Sequence, residues 1–185
     1  MTEPDTRGSA DDAAAQADAI DRILGQWARE RPDLDVSALE IIGRLSRFAA
    51  LVQARLDAVF AEYGLQSWEF DVLSALRRAG APYELTPGEL DRALLITSGT
   101  TTHRVTRLEA RGFVTRRRDD DDRRVVRVRL TDAGVEIQAA AHAAHAANEL
   151  RILSGLSDAE RSALLAGLRG MGRVLGDRSE GVEAV

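Results

Sequence analysis

The chain's densest chemistry runs from Ser98 to Arg107: Ser98, Thr100, Thr101, Thr102, His103, Arg104 and Arg107 crowd hydroxyls, an imidazole and two guanidiniums into three helical turns. These groups hydrogen-bond phosphate oxygens and the edges of bases. A second basic element follows at Arg123 and Arg124, just after four consecutive aspartates. Further upstream, Asp71 and Arg78 stand seven residues apart, which puts them on one helix face about two turns apart. His142 and His145 are three apart in an Ala-rich stretch, but no third ligand is near in sequence, so no metal site is expected. Cysteine is absent, which excludes disulfides, thiolate metal ligands and a thiol nucleophile. Neither a Gly-rich phosphate loop nor a paired-carboxylate site stands out, so the chain is not read as an enzyme, and no cofactor is expected.

Charge is distributed unevenly. The net charge is -5, yet residues 98–129 hold ten Arg against five acids, leaving +5 there and -10 elsewhere. A basic stripe on an acidic body is the footprint of a nucleic-acid binder. No run approaches the roughly 20 apolar residues needed to span a bilayer. The N-terminal stretch is acidic and unlike a signal peptide, so a cytoplasmic chain without membrane contact is expected.

The elements that must position these groups are mostly helical, since Ala and Leu dominate the apolar set and aromatics make up only 4%. Residues 1–10 read as a disordered tail. From Asp11 an Ala-rich helix carries Ile20, Ile23, Leu24 and Trp27 on one face and ends near Pro32; a longer helix follows over about 36–63, stopped by Gly64. Ser67 is read as the cap of a helix running to Gly80, and Ala81-Pro82-Tyr83 as a linker. Thr86-Pro87-Gly88-Glu89 opens a short helix with a capping box, ending around Leu94. The next helix opens near Ser98 and turns Val105, Leu108 and Ala110 inward. The period then changes to two at Phe113–Arg116 and at Val125–Leu130, giving a two-stranded hairpin around a charged tip. Thr131 begins a long helix, and Ser157-Asp158-Ala159-Glu160 caps a last one running to Leu175, with a loose tail after Gly176.

A short helix, a turn, a second helix with an Arg-rich polar face and then a charged hairpin is the order of a winged helix-turn-helix. The expected organisation is a tail (1–10), an extra N-terminal helix with the first dimerisation helix (11–64), the DNA-binding region (65–130), C-terminal dimerisation helices (131–176) and a tail (177–185). The fold class is thus mostly α with a small β wing.

The stretch Leu85-Thr86-Pro87-Gly88-Glu89-Leu90, then Thr97 to Val105, then Leu108-Glu109-Ala110-Arg111-Gly112-Phe113-Val114 resembles the MarR family. So do Arg117 to Arg124 and the closing Leu130-Thr131-Asp132-Ala133-Gly134. The resemblance implies a homodimeric regulator, a repressor, whose two recognition helices meet a palindromic duplex. It assigns the wing brace to Asp122 and a minor-groove contact to Arg123 or Arg124. Four aspartates in a row exceed the family's usual number, and Asp120 and Asp121 are expected to weaken phosphate approach.

A narrower resemblance, carried by Trp27 and by Trp68-Glu69-Phe70-Asp71-Val72-Leu73-Ser74-Ala75-Leu76-Arg77-Arg78, is to the family's urate-responsive branch. It implies Trp27, Asp71, Arg78 and Arg116 as ligand-binding residues and Arg104 as the relay to DNA. Urate is a flat monoanion, suited to a stacking Trp, paired Arg and a carboxylate that accepts ring N–H bonds. The alternatives are the same fold answering to a phenolic or tricarboxylate effector, and a winged protein-interaction module that does not read DNA.

Overall fold

The computed structural model describes residues 17–119 and 122–177. The tail at 1–10, the helix start at 11–16, Asp120, Asp121 and residues 178–185 lie outside the described residues. The chain divides into two compact units, Met1–Ala54 and Arg55–Val185. Helix α2 runs through the division.

In the first unit, α1 (Ala19–Glu30) is capped by Asp18. Asp18 Oδ1 accepts from the N–H groups of Ile20 and Asp21, and Asp21 Oδ2 accepts from Asp18 N–H, a reciprocal box. Arg44, on α2 (Leu39–Glu62), donates to Asp18 at 2.7 Å and also pairs with Asp21. Gly43 lets the two helices approach: a Cβ there would stand 3.0 Å from Ile20 Cδ1. Of the predicted apolar stripe only Ile20 is buried; Ile23 and Trp27 are partly open.

The second unit builds the helix-turn-helix and the wing. Helix α3 (Ser67–Arg78) is capped by Gln66, whose box partner is Glu69, so Ser67 is its first residue and not its cap. Gln66 takes the role because Glu69 reaches back to its N–H at 2.9 Å, while the Ser67 hydroxyl turns to Asp57. The Thr86 capping box with Pro87 at the first position is as expected for α4 (Pro87–Leu94). Helix α5 (Ser98–Ala110) follows after Leu95 makes the turn in the left-handed region at φ 54°. Ala110, expected to face inward, is exposed, because the buried stripe of α5 is Thr101, Val105 and Leu108.

The sheet has three strands where the sequence pattern indicated two. Strands β2 (Val114–Arg118) and β3 (Val126–Leu130) form the hairpin, and β1 (Glu84–Leu85) pairs with the other edge of β3, giving the antiparallel order β1–β3–β2. A two-residue strand following Pro82 carries too little period to be read from sequence. Helices α6 (Asp132–Leu153) and α7 (Asp158–Leu175) complete the unit, α7 with the anticipated Ser157–Glu160 box.

The Leu-Thr-x-x-Gly motif closing the hairpin has a clear physical basis. Thr131 Oγ1 donates to Gly112 O and accepts from Gly134 N–H, turning the strand into α6. A Cβ on Gly134 would stand 2.0 Å from Phe113 O, so only glycine fits. Leu73, Leu76, Leu90 and Leu108 are wholly buried at the centre, each worth about 1.5–3 kcal/mol over exposure. The observed architecture is the mostly helical winged helix-turn-helix expected.

Candidate nucleic-acid interface

With Thr101, Val105 and Leu108 turned inward, the opposite side of α5 is open. Ser98, Thr100, Thr102, His103 and Arg107 are exposed, and Arg104 is half-buried on the flank toward α3. Thr101 is a correction: it is 1% exposed and its hydroxyl finds no partner within the described structure, so it cannot meet DNA as the hydroxyl run suggested. Its position one turn before Val105 puts it on the core side. Thr102 Oγ1 donates back to Ser98 O and Thr106 Oγ1 to Thr102 O, leaving the Thr102 oxygen as an acceptor on the outer surface. Thr97, at the helix start, meets Thr100 Oγ1 at 3.0 Å and makes no capping bond, so the first N–H groups of α5 are left to an outside acceptor.

Both flanks of α5 are tied down. Toward α3, the guanidinium carbons of Arg104 and Arg107 lie 5.6 and 5.2 Å from the Trp68 ring. Toward the wing, Arg116 on β2 pairs with Glu109 at 2.8 Å, donates to Thr106 Oγ1 at 2.7 Å, and sends its backbone N–H to the same Glu109. The Arg116 guanidinium is therefore engaged by α5, a contact the ligand-binding expectation did not include. At the base of α5, Arg111 pairs at 2.6 Å with Glu69, which is almost wholly buried, and closes onto Gly64 O.

The wing is braced by other residues than expected. Asp122 accepts from Arg124 N–H at 2.9 Å and donates its own N–H to Asp119, shaping the tip locally; among the described residues it makes no bond to α5. Arg116 and Glu109 join wing to helix instead. Asp119 pairs with Arg127 across the hairpin, and Glu84 on β1 takes both terminal and ε donors of Arg117 at 2.9 and 3.0 Å. Arg123 and Arg124 stand exposed at the tip with no ion pair among the described residues. Thus four of the ten arginines in the basic stripe (Arg111, Arg116, Arg117 and Arg127) are neutralised internally. The sequence reading gives Trp68, Glu84, Glu109 and Arg127 no role of their own. They stand on α3, β1, α5 and β3, and no pattern along the chain says which carboxylate or ring meets which cation.

Of the residues assigned to an effector, Trp27 lies in the first unit, 45% exposed on α1. Asp71 and Arg78 lie in the second, on α3. The Asp71 side chain reaches solvent, yet the protein around it excludes enough water to push its carboxyl above the ordinary 3.8, with Arg104, Arg78 and His145 pulling the other way. That electrostatic link joins Asp71 to Arg104 on α5. Beside Arg78, a cleft of about 290 Å³ opens between α3 and α6, lined by Phe70, Ser74, Arg77, Gln138, His142, His145 and Glu149. Arg77 lies over the Tyr83 ring at 4.2 Å, and Gln138 donates to Ser74 at 3.4 Å. His145 stacks on Phe60, lies tilted against Phe70 and holds Glu149 at 3.2 Å, while its Nδ1 is buried without a partner. The histidine pair is thus an aromatic wall; among the described residues no group of three metal-ligating side chains forms.

Residues 63–125, spanning α3, α4, α5, β1 and β2, match the model of the MarR family. The chain is 43% identical over 147 residues to the HTH-type transcriptional regulator PecS of Dickeya dadantii, covering 80% of this chain and 89% of that one. Among solved structures it is similar to AbsC, a MarR family transcriptional regulator of Streptomyces coelicolor, with a TM-score of 0.68 at 20% identity, covering 78% of this chain and 98% of that one. It is also similar to a cysteine-to-serine variant of MarR from E. coli complexed with operator DNA, with a TM-score of 0.62 at 27% identity, covering 75% of this chain and 99% of that one.

Proposed function

Since the chain belongs to the MarR family of DNA-binding transcriptional regulators, we propose that it is a homodimeric repressor that grips a palindromic operator and lets go when a small anion binds. The observation that carries the DNA half is the outer face of α5. Ser98, Thr100, Thr102, His103 and Arg107 present donors and acceptors to a major groove, while the wing tip offers Arg123 and Arg124 to the neighbouring minor groove. Thr101 supports the seat of the helix from beneath and is not part of that surface. The apolar residues left open on α2 (Ile41, Leu45, Phe48) and on α7 (Leu164, Leu165, Leu168) are the surface for a second copy. Two copies then meet half-sites about one helical turn apart. Such a protein works on the chromosome, in the cytoplasm. Among the described residues no helix is long and apolar enough to cross a membrane.

The effector half rests on Asp71. Its carboxylate attracts Arg104 on α5 and Arg78 on α3, so an anion arriving at Arg78 competes with Asp71 for cationic partners and disturbs the helix that reads DNA. Urate is the favoured anion, with Trp27 as its stacking partner and Arg78 as its cation. Arg116 joins as the strut through which the wing feels the change. A coupling of about 1–3 kcal/mol lowers DNA affinity roughly 5- to 150-fold. The aromatic lining of the α3–α6 cleft, Phe70 with two imidazoles, favours a second candidate, an aromatic or carboxylate effector in place of urate.

The test is fluorescence anisotropy on the DNA upstream of the protein's own gene, with and without urate, across a series of salt concentrations. Salt-dependent binding that urate releases supports both halves. Binding that ignores urate but yields to an aromatic acid moves the effector to the second candidate. Loss of salt dependence removes the DNA half, since each phosphate contact contributes a log–log slope near -0.9.

A further inference from the structure

We infer that Trp68 is a positioning residue for DNA reading: its indole face holds Arg104 and Arg107 and so fixes how α5 is seated against α3. The inference rests on α5 being the helix that enters the groove. The ring itself is held. Its N–H donates to Gln66 Oε1 at 2.5 Å, and Gln66 is locked as the cap of α3 by Glu69. Glu69 is in turn tied to Arg111 at the end of α5, so the two helices are joined at the foot of the seam.

Arg104 and Arg107 are one turn apart on α5, where two like charges oppose each other. Both guanidinium carbons lie within the roughly 6 Å over which a cation is attracted to an aromatic face. One ring therefore serves two cations and offsets their repulsion. At 100° per residue, about 3.6 to the turn, Arg104 falls beside the buried Thr101, Val105 and Leu108 stripe, and its half-buried stem runs along the seam. Asp71, one turn beyond Trp68 on α3, attracts the same guanidinium at longer range, without an ion pair. The ring fixes the roll of α5 from the α3 side, as Arg116 and Glu109 do from the wing side. His103, between the two arginines in sequence and pointing outward, takes its aim from that roll.

The experiment measures operator affinity over a salt series for Trp68→Leu, Trp68→Phe, Arg104→Gln and the Trp68→Leu/Arg104→Gln double variant, each checked by thermal unfolding. Trp68→Leu is expected to weaken binding about 5- to 30-fold, the equivalent of two exposed cation–π contacts. Its salt slope should match that of the parent protein, because no phosphate contact is removed. Trp68→Phe, which keeps a π face, should recover most of the affinity, and it carries the test where the leucine variant fails to fold. Arg104→Gln should cost less in the Trp68→Leu background than alone. Undiminished affinity in Trp68→Leu, a changed slope, or additive losses in the double variant would overturn the inference. Absence of salt-dependent operator binding in the parent protein would instead sink the reading of α5 as the groove helix.

Discussion

Helices α3 and α7 belong to the same unit and both open with a capping box, yet they end in opposite conditions. Over 12 residues α3 buries Glu69, Phe70, Val72, Leu73, Ser74, Ala75 and Leu76, whereas α7, with 18 residues, buries none. Leu164, Leu165 and Leu168 remain 46–49% exposed. Local sequence signals therefore do not separate them; what differs is a tertiary partner. Helix α3 has α4, α5, α6 and β3 against it, and its charged ends are satisfied by Arg111 and by its own cap. The reading module is closed and self-sufficient, while α7 is a finished helix with an apolar stripe still open.

The largest expected effect comes from putting charge on the open side. Leu165→Glu with Leu168→Glu should convert the protein to a monomer in sedimentation velocity, because a carboxylate in an apolar interface goes uncompensated. Loss of the second half-site contact should then lower operator affinity about 10²- to 10⁴-fold, the range by which linkage multiplies binding. A variant that stays dimeric and binds DNA normally would show that α7 is not where the second copy sits.

The closed side is probed by Gly134→Ala. A methyl group at 2.0 Å from Phe113 O forces α6 away from the end of the hairpin. The cost should be about 1–3 kcal/mol, read as a lower denaturant midpoint with the assembly state unchanged. An unaltered midpoint would mean that α6 does not depend on that contact.

The comparison also explains what was legible in the sequence. Elements that carry their own signal are legible: the Thr86 and Ser157 boxes, Pro87 at the start of α4, the period change at Phe113–Arg116 that overlaps β2, and the fold class these compose. Thr101 was misplaced because a run of hydroxyls looks uniformly polar, and only the helical phase set by Val105 and Leu108 turns one of them inward. Ala110 failed for the same reason in reverse. Strand β1 was missed because two residues have no period to read. The +5 of the basic stripe already counts Glu109 and Asp119; the charge it leaves out is that of Glu69 and Glu84, which the folded chain brings to Arg111 and Arg117 from outside the stretch. Asp122 was given the brace by motif, whereas the tight turn at the tip uses it up locally.

A smaller effect separates two carboxylates at sites of opposite character. On α1, the hydrogen bond from Arg44 and then the Asp18 N–H hold the Asp21 carboxyl below the ordinary 3.8. On α3, exclusion of water raises Asp71 above it, despite Arg104 and Arg78. The signs of their linkage to stability differ accordingly. Asp21 contributes stability that is present above pH 3.8 and is lost as pH falls through its lower folded value. Between 3.8 and its raised value, Asp71 keeps a proton in the folded chain that the unfolded chain has released, so its contribution falls as pH rises through that window. Asp71→Asn should therefore match or exceed the parent in stability near neutral pH, with the difference closing below 3.8, while Asp21→Asn should be less stable at neutral pH and converge in acid. Urea midpoints taken stepwise from neutral into acid would show it. If both variants lose stability at neutral pH alike, Asp71 is a solvated surface partner of Arg104, and the coupling between anion site and reading helix has to run through Arg78 and the wing instead.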